Sequence, residues 1–256
     1  MLSFMRTKNK NMVKYFRKEV FLNNNVDKDI KSMLMPLTLM HTFVLCPKFR
    51  IKNRAITPND TFNKMLLLCG TFILLYLYAY RILHISDDNI KSLRVVKIQK
   101  IASYFDVFFD SSGSLLIFLT SFLLSSNNML FVLTIQEVHR ILKSNFKSFT
   151  KYNWISEILL ICVYMFFMIY NHVMYPELPF YIIMNAFSAI IPDIELVLAL
   201  RYIKLLKDEI VLWNRQIMYT FTDQRHGTSR KRLFEVYIQI LNSYNIYRKI
   251  FQFMVS

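Results

Sequence analysis

Long apolar runs separated by short polar segments dominate the hydrophobic pattern of this chain. Four runs reach the roughly 20 residues that a helix needs to cross the hydrocarbon core of a bilayer. They cover residues 65–84, 103–126, 154–175 and 180–206. We therefore predict an all-α fold, a polytopic transmembrane helical bundle with four complete spans.

The segments around these runs complete the predicted architecture. Residues 33–46 are apolar but too few to span comfortably, so they predict a short interfacial or bundle-packed helix. After the fourth run, apolar positions recur at three- and four-residue spacings, which predicts that the helix continues toward Trp213. The charged stretch 223–232 has the composition of a loop, and helical periodicity resumes over residues 233–251.

These elements predict three parts along the chain. Residues 1–64 form a cytoplasmic N-terminal segment with the short amphipathic helix, and residues 65–206 form the four-span bundle. Residues 207–256 form a helical cytoplasmic loop. Apolar character rises at the last residues, and we expect them to begin a fifth span that is missing from this chain.

The distribution of basic residues predicts how the chain threads the membrane. Residues 1–64, 127–153 and 201–249 contain 13, 4 and 10 Lys or Arg, out of 32 in the chain. Cytoplasmic loops are enriched in Lys and Arg, so the N-terminus is predicted to be cytoplasmic. The glycosylation sequon at Asn59 then lies on the cytoplasmic side and should carry no sugar.

Composition and motifs exclude several classes of function. Hydrophobic residues make up 54% of the 256 residues and charged residues 19%, whereas soluble domains carry about 25% charge. The basic residues lie between apolar runs and do not form a phosphate-binding face, so we predict a lipid bilayer and no nucleic acid as partner. The Cys and His residues lack metal-site spacing, and three glycines cannot supply a phosphate-binding loop. We expect no enzyme activity, no metal and no cofactor.

A set of polar and aromatic residues near one end of the spans is the candidate ligand site. Asp106 and Asp110 are four residues apart and share a helix face, so they should face the bundle or a water-filled cavity. Alternatively, Asp106 lies at the membrane interface and Asp110 pairs with a neighbouring helix. Aromatic side chains at this depth could form a pocket or only the aromatic belt of the interface. The predicted ligand-binding residues are Asp106, Asp110, Phe167, Tyr170, Asn171, Tyr181, Asn185 and Ser188.

The fourth run carries an interruption with its own chemistry. Pro192 should kink the helix. The carboxylates of Asp193 and Glu195 are expected to accept hydrogen bonds from a neighbouring span, and Arg201 is a more distant partner for Asp193.

The layout resembles an insect chemoreceptor, more like a gustatory than an odorant receptor. Three stretches carry the resemblance: DIKSMLMPLTLMHTFVLCPKFRIKNR at 29–54, LRYIKLLKDEIVLWN at 200–214, and LFEVYIQILNSYNIYRKIFQ at 233–252. The family's most specific signature, a Thr-Tyr followed by apolar residues and Gln-Phe in the last span, would lie beyond residue 256.

Members of that family look like seven-span proteins with an inside N-terminus that form tetrameric, ligand-gated cation channels. The resemblance implies a gustatory receptor-like channel subunit in the plasma membrane, gated by a small-molecule tastant. It implies a homo- or hetero-tetramer with other receptor subunits, and an N-terminal fragment without the pore-lining helix. An odorant receptor of the same superfamily and a multi-span transporter remain alternatives. A G-protein-coupled receptor would instead place its N-terminus outside.

Overall fold

The computed structural model describes residues 24–87, 94–144, 146–174, 190–222 and 227–255. Within these ranges the regular secondary structure is helical apart from one small hairpin and an isolated bridge between Asn25 and Ala55. Strands β1 (Arg50–Lys52) and β2 (Ala55–Thr57) pair antiparallel, with Ile51 opposite Ile56. The helices are α1 (Lys28–Phe43), α2 (Thr61–Asp87), α3 (Arg94–Leu123), α4 (Ser125–Leu142), α5 (Lys147–Met174), α6 (Ile190–Thr222) and α7 (Gly227–Val255).

Three of the described helices are long and apolar enough to cross a membrane. The qualifying segments are Thr61–Leu83 in α2, Ile101–Leu123 in α3 and Lys147–Met174 in α5. The described part of α6 is not among them. The all-helical architecture is therefore confirmed, and three helices are consistent with a membrane protein. The described residues do not confirm a fourth span.

Two regions with different packing can be distinguished. We call α2, α3, α5 and residues 190–197 of α6 the span bundle. We call α1, α4, α7 and residues 198–222 of α6 the helical module. Each region has its own cluster of buried apolar side chains.

The helical module is built around aromatic rings from three helices. Phe131 of α4 stacks on Tyr202 of α6 with 4.3 Å between ring centroids, and Phe251 of α7 meets Tyr202 edge-on at 6.0 Å. Further along, Trp213 of α6 stacks on Tyr237 of α7 at 4.8 Å. The long extension of α6 beyond the predicted fourth span is thus confirmed, and it is held by α4 and α7.

The span bundle relies on close approach between α2 and α3. A Cβ placed on Gly70 would lie 2.7 Å from the ring of Phe118 and 2.9 Å from Leu45. The absent side chain therefore lets α2 lie against α3 and against the segment that follows α1. In contrast, α5 leaves most of its apolar side chains uncovered, with Phe166 71% and Val173 67% exposed.

The structure confirms some sequence-based boundaries and corrects others. The short N-terminal helix is present as α1, and it packs against α5 and α6. The prediction of a loop over residues 223–232 is wrong from Gly227 onward, because α7 begins there; residues 223–226 lie outside the described ranges. Lys and Arg are good helix formers, and Leu233 and Val236 are buried in the module core, so packing extends the helix into the charged stretch. The hairpin was not predicted.

Candidate functional site

The two aspartates of α3 lie near the middle of that helix. Asp106 accepts a hydrogen bond from the Arg81 guanidinium of α2, with 2.9 Å between Nη2 and Oδ2. Asp110 lies one turn further along the same helix and interacts electrostatically with both Asp106 and Arg81. Arg81 therefore bonds one of the two carboxylates and acts on the other only electrostatically.

A second polar contact joins α5 to α6 nearby. The Tyr164 hydroxyl donates to Asp193 at 2.6 Å, and Asp110 is close enough to interact electrostatically with Tyr164. Asp193 thus accepts from a neighbouring span, as expected, and Arg201 instead donates to the backbone carbonyl of Tyr152 at 3.2 Å. We call Arg81, Asp106, Asp110, Tyr164 and Asp193 the polar layer.

The other predicted ligand-binding residues do not join this layer in the described structure. Phe167 is 51% and Tyr170 46% exposed, and the Asn171 amide donates to the backbone of Phe167 one turn away. These three residues line the bare surface of α5. Tyr181, Asn185 and Ser188 lie outside the described residues.

A buried ion cluster lies where α1, α3 and α6 meet. The sequence predicted that Glu195 accepts hydrogen bonds, but it assigned the donors to a neighbouring span, whereas they are His41 of α1 and Lys48 of the segment that follows it. The Glu195 carboxylate of α6 is 3% exposed and contacts Lys48 Nζ at 2.6 Å and His41 Nε2 at 3.2 Å. The other ring nitrogen of His41 lies 2.8 Å from the Leu37 carbonyl. Both ring nitrogens of His41 therefore lie within hydrogen-bond distance of oxygen atoms, one on α6 and one in the preceding turn of α1.

Small polar side chains complete the cluster on its α3 side. Lys48 also donates to Ser121 at 2.7 Å, and Ser121 in turn donates to the Ile117 carbonyl. The Cys46 thiol lies 3.1 Å from the Ser121 hydroxyl, and burial raises the pKa of this thiol despite the nearby Lys48. Cys46 therefore stays a neutral thiol, and the cluster has no activated nucleophile of the thiolate type.

Asn59 and Ser125 fix the loop that carries Lys48. The Asn59 amide nitrogen donates to the Pro47 carbonyl at 2.7 Å, and the Asn59 backbone N–H donates to Ser125 at 2.7 Å. Ser125 donates to the Lys48 carbonyl. The nitrogen that would carry a glycan is thus buried and bonded, so the folded chain cannot present this sequon on either side of a membrane.

Comparison with known proteins leaves the family open. The chain matches no family model, no curated protein and no solved structure. Within the described ranges, no group of three or more His, Cys, Asp or Glu side chains is placed to hold a metal ion. The site must therefore be interpreted from its own chemistry.

That chemistry consists of hydrogen bonds and ion pairs between helices. The polar layer joins four helices through one guanidinium, one phenol and three carboxylates. The ion cluster ties the segment after α1 to α3 and α6. The sequence signals for the cluster were Lys48 directly after an apolar segment and Glu195 within an apolar run. Their pairing could not be predicted, because the two residues are 147 positions apart in the sequence.

Proposed function

We propose that this chain is a subunit of a ligand-gated cation channel of the gustatory receptor type, which recognises small external tastants. The observation that carries the proposal is the polar layer, where Tyr164 of α5 donates to Asp193 of α6 beside Asp110 of α3. Ionisable groups inside apolar spans are costly in lipid and commonly mark ligand or ion pathways.

The proposal includes α6 as the fourth span, over residues 180–206, with a cytoplasmic N-terminus and a plasma-membrane location. The charged residues of this segment do not exclude a membrane span, because each of the two carboxylates has a partner. Asp193 is bonded to Tyr164, and Glu195 is bonded to Lys48 and His41. Charges that face a bundle and have partners are tolerated within the membrane.

The bare surface of α5 supports the assembly that we propose. Side chains such as Phe166 and Val173 contact little in the described chain, and such a surface is stable against lipid or another protein. We propose that it faces the bilayer and the other subunits of a homo- or hetero-tetramer.

A ligand-binding experiment tests the proposed site. The chain in lipid nanodiscs would be screened against sugars, amino acids, alkaloids and amines, with the unfolding temperature as readout. A ligand at 100 times its Kd should stabilise the chain by about 2.7 kcal/mol. Tyr164→Phe removes only the hydroxyl and should abolish this stabilisation, whereas Tyr219→Phe, at a 76% exposed tyrosine of α6, should leave it intact. Absence of a response across the panel, or equal responses in both variants, would contradict the proposal.

Orientation is tested separately. An epitope tag at residue 1 should react with antibody only after the cells are permeabilised. A tag that is accessible on intact cells would exclude the proposed topology and favour a G-protein-coupled receptor arrangement.

A further inference from the structure

A hydrogen-bonded chain of three polar side chains links the α4–α5 turn to α6, within the helical module. His139 Nδ1 of α4 lies 2.6 Å from the Ser144 hydroxyl, and Ser144 donates to Glu209 Oε1 of α6 at 2.7 Å. Ser144 stands three residues before α5 begins. The contact therefore connects the segment that leads into a candidate span with the long helix that carries Glu195 at its other end.

Glu209 occupies an unusual position for a carboxylate. The side chain is 1% exposed, and its second oxygen, Oε2, has no hydrogen-bond partner among the described residues. An ionised carboxylate can accept about four hydrogen bonds, so Ser144 satisfies only a part of it. Leaving a buried charged oxygen unpaired carries a large desolvation cost.

Two neighbouring cavities give this chain access to solvent. Glu209 lines a cavity of about 130 Å³ together with Ser144 and Tyr152. Ser144 also lines a second cavity of about 370 Å³, beside Asp29 and Lys147. Protons can therefore exchange with Glu209 without unfolding of the module.

We infer that the His139–Ser144–Glu209 chain is a proton-controlled tie, which holds the α4–α5 turn against α6 at mildly acidic pH and releases it as the pH rises. We call the described structure, in which Ser144 donates to Glu209, the closed arrangement. Ionisation of Glu209 destabilises it, because the charged carboxylate is buried with one oxygen unpaired among the described residues. Release exposes the carboxylate to water and lets the turn, and with it the start of α5, move relative to α6.

Proton linkage gives the direction and size of the effect. Burial, the largest cause, raises the pKa of Glu209 from 4.5 to about 7 in the closed arrangement. The closed arrangement thus binds a proton more tightly than an open one with an ordinary carboxyl. Its stabilisation is complete below 4.5 and is lost as the pH rises through about 7, which corresponds to a shift on the order of a hundredfold in the closed-to-open ratio.

His139 limits the pH range of the tie on the acidic side. Burial lowers its pKa below the usual 6.5, so protonation at low pH favours release. Protonation of His139 therefore weakens the tie in acid, whereas ionisation of Glu209 weakens it as the pH rises. Other charged and titratable groups surround the three side chains. Helices α5 and α6 contribute Lys147, Tyr152, Lys204 and Asp208. The start of α1 contributes Asp27 and Asp29, and α4 contributes Arg140. On α7, Tyr237 stacks on Trp213, one turn of α6 beyond Glu209.

Distance measurements between spin labels test the tie in the full chain. Labels would be placed at the exposed positions Lys143 and Lys207, after the exposed thiols Cys69 and Cys162 are replaced by serine. In nanodiscs, the distance distribution should be narrow at about pH 5 and become longer and broader by about pH 8, with most of the change between about 4.5 and 7. An unchanged distribution across this range would overturn the inference.

Matched variants assign the transition to its residues. Glu209→Gln should abolish this transition and keep the short distance, whereas Asp208→Asn, at the exposed carboxylate next to it, should retain the transition at slightly lower pH. Ser144→Ala should give the long distance at every pH, with circular dichroism confirming that the helices persist. If Glu209→Gln kept the wild-type midpoint, or Ser144→Ala kept the wild-type transition, the chain would not be the sensor.

Discussion

The helical module and the span bundle treat their large side chains in opposite ways. In the module, Phe131 and Tyr202 are each 1% exposed, whereas Phe72 and Phe166 in the bundle are 68% and 71% exposed. Burial of an aromatic ring away from water stabilises a fold by roughly 1.5–3 kcal/mol. This term holds the module together, and it contributes little to the packing of α5 against its neighbours.

In the bundle, polar side chains contribute to holding the helices against one another. Tyr164 bonds Asp193, Arg81 bonds Asp106, and Tyr78 lies 3.3 Å from Ser114. In lipid, apolar surface gains little from helix contact, so small residues and hydrogen bonds between helices supply the specificity. The comparison therefore teaches that the two regions are held differently: burial of large apolar side chains stabilises the module, whereas polar pairs and close helix approach stabilise the bundle.

The ion cluster connects the two regions, and we expect its disruption to cause the largest loss in the free energy of unfolding. Lys48→Met leaves the Glu195 carboxylate without its closest partner, and removing one side of a buried pair typically costs about 3–5 kcal/mol. Urea unfolding of the chain in nanodiscs, followed by tryptophan fluorescence, measures this loss. The double variant Lys48→Met with Glu195→Leu should recover most of it. A single-variant loss below about 1 kcal/mol would mean that the cluster is solvated and does not join the regions.

A pair of Phe substitutions tests the comparison directly. Phe131→Ala removes a ring from the module core and should cost about 3–4 kcal/mol. Phe166→Ala removes a ring from the exposed face of α5 and should change stability by less than about 0.5 kcal/mol. The same unfolding assay applies to both. Equal losses would show that the face of α5 is packed in the native assembly.

Some of this architecture could be predicted from sequence, and the reasons are local. The runs that became α2, α3 and α5 are apolar over a whole span length, and the α6 extension shows helical periodicity up to Trp213. Both signals depend only on neighbouring residues. The same holds for the pair Asp106 and Asp110, whose four-residue spacing fixes a shared face.

What could not be predicted depends on contacts between distant residues. Glu195 meets Lys48, and Ser144 meets Glu209, only because α6 packs beside the segment after α1 and beside the α4–α5 turn. Periodicity carries no information about such partners. The loop predicted over 223–232 failed for the same reason, since burial of Leu233 and Val236 in the module extends α7 over charged residues.

Two glycines allow a closely packed and an open position to be compared within the bundle. Gly70→Ala would place a methyl group 2.7 Å from Phe118 and 2.9 Å from Leu45, and overpacking of this kind costs about 1–3 kcal/mol. At Gly113 of α3, a Cβ meets nothing within 4 Å, so Gly113→Ala should stabilise the helix by up to about 1 kcal/mol. Thermal unfolding in nanodiscs compares the two. A neutral Gly70→Ala would show that α2 and α3 are not closely packed there.

The smallest effect is expected at the surface of the module, where water screens charges. Arg140 bonds both carboxylate oxygens of Asp27 at 2.8 and 2.9 Å, which ties α4 to the start of α1. Both partners are over one-third exposed, so Asp27→Asn should cost about 0.2–1 kcal/mol at neutral pH. The bond to Arg140 lowers the pKa of Asp27 below its usual 3.8, so its contribution is present above that pH and is lost as the pH falls below it. Unfolding curves of wild type and variant should therefore converge in acid. A difference that persists at about pH 2 would assign the effect to the backbone at this helix start and not to the ion pair.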